Sequence, residues 1–415
     1  MAERLSAKTV LGNRDFRLLL AGTALGQMLG PLQFLTQILW VQANAPENIW
    51  LVLVATIGAS RGMGALTFGL YGGALADRYD RRVLLMVAQI VLVTITCAIS
   101  ALMFSGVTGV LGFALFFFLA FLAAGLQAVD APTRLAIIPD ILGPDLTPSG
   151  MSLAQVAVQL SMPVAMFATG FIIHELDFGG AYLFSVIGHV LVIGFLALMR
   201  YQSSMAPATS LSYGFAQALQ DVRHGLTYAR GHHTVLWVII LLVIMMSLGF
   251  PATANLGPTW INTEVGVPIK DMGYIVMNWG IGSLIAAVFL TRFSTVAHRG
   301  RLIAGGALLF CVSFVIFVSD RTVVNVVLGN LGLGAGMTIT SVSSTILIQQ
   351  VVPNEVRGRI MSLFQLNMGF AQLMTMPVAM LAQWLTLSVL FPALAVVTLI
   401  VVLVVLVTQR QIVQA

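Results

Sequence analysis

From Val83 to Val129 the chain carries no Asp, Glu, Lys or Arg. A helix needs about 20 predominantly apolar residues to cross the hydrocarbon layer of a bilayer, so this stretch has room for two crossings. Inside lipid every backbone polar group must be satisfied within the protein, which leaves helices or a closed barrel. Barrel strands alternate apolar and polar residues over about ten positions. The run from Val83 is continuously apolar, so the helical solution remains. The rest of the chain is alike. Only 8% of its 415 residues are charged and 59% are hydrophobic, against about 25% charged in soluble domains. This composition excludes an ordinary soluble enzyme and a disordered chain.

Hydropathy places twelve helices at about 15–42, 49–72, 84–104, 108–134, 149–173, 178–200, 235–262, 269–291, 302–319, 322–350, 357–385 and 388–408. The expected fold class is an all-α integral membrane protein with twelve transmembrane helices. Basic residues near span ends set orientation. With both termini and the even-to-odd loops in the cytoplasm, that side holds all of the 20 Lys and Arg except Lys270, Arg321 and the intramembrane Arg61. This asymmetry accounts for the net charge of +5 without a nucleic-acid partner. Arg4, Lys8, Arg14 and Arg17 precede an apolar stretch too long for a cleavable signal, so the first span is expected to be retained. Cys97 and Cys311 sit inside apolar runs and indicate no disulfide framework.

The longest polar stretch, about 201–234, opens with a Ser-, Thr- and Pro-containing linker. Phe215, Leu219, Val222 and Leu226 then recur at helical spacing, as in an amphipathic helix lying on the membrane surface. The chain therefore divides into an N-terminal six-helix bundle (1–200), a cytoplasmic linker (201–234) and a C-terminal six-helix bundle (235–415). The halves echo each other. Met151-Ser152-Leu153 leads to Gln155, and Met361-Ser362-Leu363 leads to Gln365, each after a Pro-acid turn. Duplicated halves with a binding site near the midplane are a transporter architecture.

The segment GGALADRYDRR, Gly72 to Arg82, resembles the cytoplasmic signature of the major facilitator superfamily, Gly-x-Leu-Ala-Asp-Arg-x-Gly-Arg-Arg. Gly73, Leu75, Ala76, Asp77, Arg78, Arg81 and Arg82 match, and Asp80 replaces the second glycine. The stretches NRDFRLLLAG, DAPTRLAIIPDIL and VVPNEVRGRIMSL resemble the branch that includes the bacterial enterobactin exporter and macrolide efflux proteins. The resemblance implies two pseudo-symmetric bundles in the bacterial inner membrane and proton-driven export of a small organic molecule. Import by proton symport and a non-transporting scaffold or sensor are the alternatives. Gly73 permits close helix approach. Asp77 is placed to face the N-terminus of helix 11 and Arg134, as a cytoplasmic gate. The alternative is that Arg78, Arg81 and Arg82 only hold the loop inside.

A charge at bilayer depth costs about 2.5–3.5 kcal/mol on insertion scales. Arg61 lies about 16 Å into the core at 1.5 Å per residue, and Asp130 lies on helix 4. The expectation is that Arg61 and Asp130 pair or tune each other. Asp130 is then either a proton-coupling carboxylate or half of a static ion pair. Asp130 and Arg134, four apart, share a helix face unless Pro132 kinks it. His189 fits a hydrogen-bonded packing residue or a proton relay. The resemblance implies that helices 1, 4, 7 and 10 line the cavity. That makes Gln27, Gln33, Gln37, Gln127, Asn255 and Asn330 candidate substrate contacts, able to donate and accept without a full charge. No Walker loop, metal-ligand spacing or catalytic constellation is legible, so no cofactor is expected. The expected partners are the substrate, protons and lipid, and a monomer suffices.

Overall fold

The computed structural model describes residues 8–47, 49–201, 215–292, 299–353, 356, 360, 367 and 369–414. Within these, the side chains of 70–78, 159, 162, 163, 167, 215–222, 291 and 292 lie outside the description. The described elements are helical. Among the described residues, ten segments are long and apolar enough to cross a membrane.

Helix α1 spans Arg14–Asn44, α2 Trp50–Arg78 and α3 Arg81–Ser105. Asp80, the one departure from the signature, is the N-cap of α3. Its carboxylate accepts from the Val83 N–H at 3.0 Å, satisfying one of the orphan donors of the first turn. Gly106 ends α3 in the left-handed conformation.

The helical run Val110–Leu198 is broken at two residues only, Gly143 and Asp177. It is therefore three helices in series, α4 (110–142), α5 (144–176) and α6 (178–198). The expected Pro-acid turn between helices 4 and 5 is largely helical. Gly143, at φ 74, makes the whole turn, and Pro144 starts the next helix, where its missing N–H costs nothing. The backbone stays helical through Pro132. Asp177 holds φ 56, a conformation that costs a non-glycine residue roughly 1–3 kcal/mol.

Helix α7 (Phe215–Gly231) is followed by α8 (His233–Ile244), which runs on through π-helical turns at Met245–Gly249, Pro251–Asn255 and Ile261–Val265. Pro251 and Pro258 lie in this stretch, and each lacks an N–H and crowds the carbonyl four residues back. A wider turn follows Pro251: Leu256 N–H donates to the Pro251 carbonyl at 2.9 Å, five residues back. Then come α9 (Met272–Arg292), α10 (Arg299–Ser319), α11 (Val323–Val351), α12 (Thr375–Leu385), α13 (Leu387–Thr408) and α14 (Arg410–Gln414). The expected start of helix 11, with Arg357 and Arg359, lies outside the described residues.

Two units emerge from packing. One comprises Met1–Trp40 and Met63–Ala216. Its core at one end joins Phe16 and Leu19 of α1, Leu85 of α3, Ile137 and Ile138 of α4, and Val192 and Leu196 of α6. The other comprises Val41–Gly62 and Gln217–Ala415. Val41–Gly62, which sequence places with the first half, thus packs with this second unit. There Gln42 donates to Asn262 at 2.8 Å and accepts from Thr259 at 3.1 Å. Its aromatic centre packs Trp260 against Phe317, tilted at 5.1 Å, and stacks it on Phe391 at 6.2 Å.

The glycines of α11 are packing surfaces. A Cβ on Gly329, Gly332 or Gly336 would overlap Phe317, Ser313 or Phe310 of α10, and one on Gly334 would overlap the Trp279 carbonyl of α9. Between lipid-embedded helices, close approach of this kind supplies the van der Waals contact that drives association.

Candidate functional site

The first unit contains a continuous buried polar chain. Its base is Asp130 on α4. Arg134, one turn on, donates Nε to Oδ2 at 2.5 Å and Nη2 to Oδ1 at 3.1 Å. Gln89 of α3 donates Nε2 to Oδ1 at 2.9 Å. The regular helix through Pro132 puts Asp130 and Arg134 on one face. The guanidinium lies beside α1 where two residues lack side chains: a Cβ on Gly22 would stand 3.3 Å from Nη1, and one on Gly26 would stand 4.0 Å from Nη2.

Above Gln89 stands His189 of α6, with Nδ1 2.8 Å from Gln89 Oε1. Its Nε2 is 3.1 Å from Gln33 Nε2 on α1. Gln33 Nε2 also lies 3.0 Å from the Ser185 hydroxyl and 3.3 Å from that of Thr96, so its two protons are shared among three acceptors, and Gln33 Oε1 accepts from Gln127 of α4 at 3.3 Å. Gln37, one turn along α1, donates to Tyr182 at 2.8 Å. Thus α1, α3, α4 and α6 each contribute to one network.

Bonding orients every member. A carboxylate only accepts, so Gln89 turns its NH2 to Asp130 and its carbonyl to His189. That carbonyl requires a proton on His189 Nδ1. A second proton on Nε2 would oppose the Gln33 NH2, donor against donor. His189 is therefore neutral here, with Nδ1–H donating and Nε2 accepting. All bonds then point one way, from Gln127 through Gln33, His189 and Gln89 to Asp130.

Asp130 is paired with Arg134, on its own helix, and Arg61 is buried on α2. The i,i+4 geometry delivers Arg134 without any tertiary adjustment. Gln33, Gln37 and Gln127 are brought together, and Gln27 is half-buried on α1. Asn255 and Asn330 stand in the second unit, each 2% exposed. Asn255 donates to Thr375 of α12 beside Gly58.

Of the signature residues, Gly73, Asp77 and Arg78 lie on α2, and their side chains fall outside the described residues. Arg81 donates Nη1 to the Ala136 carbonyl and to Asp140, both at 2.8 Å, and Tyr201 donates to the same carboxylate at 2.5 Å. Arg82 donates to the carbonyls of Leu196 at 2.8 Å, Ala197 at 2.7 Å and Tyr201 at 3.4 Å. It caps the end of α6, where unpaired carbonyls and the helix dipole favour a cation. These contacts all lie inside the first unit.

Gln89, Thr96, Tyr182 and Ser185 were not among the sequence candidates, and His189 stood there as a lone residue. Their signal is spacing. Gln89 and Thr96 are seven apart in apolar α3, and Tyr182, Ser185 and His189 recur at i, i+3, i+7 in α6, so each set forms one stripe.

Residues 42–376 match the family model of the Major Facilitator Superfamily. A staphyloferrin A transporter from Staphylococcus aureus is 20% identical over 322 residues, covering 78% of this chain and 79% of that protein. Myo-inositol transporter 1 from Candida albicans is 28% identical over 103 residues, which span 24% of this chain and only 19% of that protein's length. Among solved structures, a POT family transporter in complex with 5-aminolevulinic acid superposes with a TM-score of 0.74 at 14% identity, covering 96% of this chain and 97% of that one. The nucleoside transporter NupG gives 0.66 at 12% identity, covering 94% and 98%. At these identities the likeness to the solved structures is one of fold.

Proposed function

This chain belongs to the Major Facilitator Superfamily, and from that premise we propose that it exports a small organic molecule across the bacterial inner membrane by proton antiport with alternating access. The family match makes it a membrane transporter of small substrates; direction, coupling and topology belong to the proposal. In that reading, twelve spans form two six-helix bundles with both termini in the cytoplasm. Asp77 and Arg78 of the signature, with Arg81 and Arg82 bracing the helix ends beside them, serve the cytoplasmic gate. The likeness to a staphyloferrin A transporter over most of both chains supports a small organic cargo.

The observation that carries the coupling is the buried Asp130–Arg134 pair within membrane-spanning segments. A carboxylate beside a cation that can swing away has two accessible charge states, and one bound proton neutralises it. Three donor contacts from two side chains hold it in the present state. Gln33, Gln37 and Gln127, at the other end of the same network, are the proposed substrate contacts in this unit.

Everted membrane vesicles with an acidic lumen test the reading. Candidate cargos (staphyloferrin A, macrolides, small aromatic compounds) are added, and the pH gradient is followed. Collapse that requires the protein and is lost in Asp130→Asn is the expected result. Full proton-dependent transport by Asp130→Asn overturns the coupling role.

A further inference from the structure

We propose that the Gln89–His189–Gln33 chain is a reversible relay, in which the charge state of Asp130 sets which nitrogen of His189 carries the proton and which half of the Gln33 amide faces it. The inference rests on the proposed role of Asp130 as the residue that takes the proton.

The argument starts from where a proton can sit. Asp130 Oδ2 is 2.5 Å from Arg134 Nε, an obligate donor, so a proton there would be driven against N–H. Oδ1 is shared by Arg134 Nη2 at 3.1 Å and Gln89 at 2.9 Å, and Gln89 alone can turn. A proton therefore settles on Oδ1 and must be donated to Gln89. The amide answers by a half-turn, presenting Oε1 to Asp130 and its NH2 to His189. His189 Nδ1 must then be bare and Nε2 protonated. Gln33 turns in its place and accepts the Nε2 proton with Oε1. Thr96 follows by donating its hydroxyl proton, and Ser185 follows by releasing the Tyr182 carbonyl, to which it donates at 2.6 Å in the present state. Gln127 finally turns its Oε1 to the Gln33 NH2.

The proton balance is closed. Asp130 gains one proton. His189 takes one at Nε2 and loses one from Nδ1, an exchange carried by water. The charged groups that face these atoms are few among the described residues of this unit. Arg134 faces Asp130 from its own helix. α3 offers Gln89, α1 offers Gly22 and Gly26 to the guanidinium, and α6 offers neutral His189. The Arg81–Asp140 pair lies about two turns away along α3 and α4. Leaving any member unturned would strand a buried donor against a donor, which costs about 1–3 kcal/mol. That penalty makes the chain act as a unit, and the polar face of the candidate substrate amides changes with the proton.

Asp130→Asn mimics the protonated state permanently. Its carbonyl keeps the Arg134 Nε bond, and its NH2 takes the position of Oδ1, donates to Gln89 and gives up the 3.1 Å contact from Arg134 Nη2. The test is 15N spectroscopy on the full-length, 15N-histidine-labelled protein in nanodiscs. The signals of His189, among the six histidines, are assigned by their loss in His189→Gln. In the wild type at pH 8 the expected proton is on Nδ1, and in Asp130→Asn on Nε2. In Gln89→Met the substitution at position 130 no longer moves the tautomer. An Nε2–H tautomer in the wild type, one tautomer in both forms, or a shift that persists in Gln89→Met each overturns the relay.

The vesicle assay separates this inference from the one beneath it. A tautomer that switches in a protein showing no proton-coupled transport overturns antiport and leaves the relay. Transport lost in Asp130→Asn with His189 unchanged overturns the relay and leaves the coupling role of Asp130.

Discussion

Removing one partner of the buried ion pair should cost more than removing both. Arg134→Gln takes away two of the three donor contacts on Asp130 and leaves only Gln89. Hydrogen bonds to charged groups contribute about 1.5–3 kcal/mol each, so two lost contacts come to about 3–6 kcal/mol. The general cost of breaking a buried pair from one side is about 3–5 kcal/mol, in the same range. Asp130→Asn should cost at least as much, because the guanidinium stays charged in a buried site while an orphaned carboxylate can bind a proton. The double variant holds two neutral amides that can hydrogen-bond to each other and to Gln89. It should therefore recover most of the loss, with a coupling of about 2 kcal/mol or more between the sites. Thermal unfolding in detergent, followed by intrinsic fluorescence and by recovery of the monodisperse peak, supplies the ranking. The expected order is wild type, double variant, then both single variants. A double variant as unstable as the two single losses added together would refute the account of the pair.

Three other expectations test packing elsewhere and around the site. Gly334→Ala should destabilise by about 1–3 kcal/mol, because its methyl overlaps the Trp279 carbonyl. Gly305→Ala, with nothing within 4 Å, should be neutral or gain up to about 1 kcal/mol; equal thermal midpoints would contradict the packing of α11. Arg82→Gln should cost about 1–3 kcal/mol by uncapping the α6 carbonyls, with partial recovery in Arg82→Lys. An unchanged midpoint would show the cap to be energetically idle. Gly22→Leu should displace the Arg134 side chain and lower transport in vesicles while the protein still reaches the membrane. Full activity would mean that the guanidinium does not need the bare surface of α1.

Much of the architecture is readable from residue type. The uncharged run from Val83 to Val129 admits only membrane helices, since burial in lipid penalises charge and unpaired backbone alike. Asp130 and Arg134 are also readable as a pair, because a regular helix places positions four apart on one face. The signature around Asp77 is local in sequence and so visible there. Even the stripe of Tyr182, Ser185 and His189 is written in the spacing of α6.

What residue type leaves undetermined is how each helix is rotated about its axis and which stripe it meets. Gln33, Gln89, Gln127 and His189 sit on four helices, and the separations of 94 to 156 residues between bonded partners carry no distance information. The bare surfaces of Gly22 and Gly26 beside the Arg134 guanidinium are likewise a product of packing. The direction of the hydrogen bonds is more remote still from sequence. An amide and an imidazole can each point either way, and only the fixed carboxylate at one end, closed in by its neighbours, forces the whole chain to a single polarity.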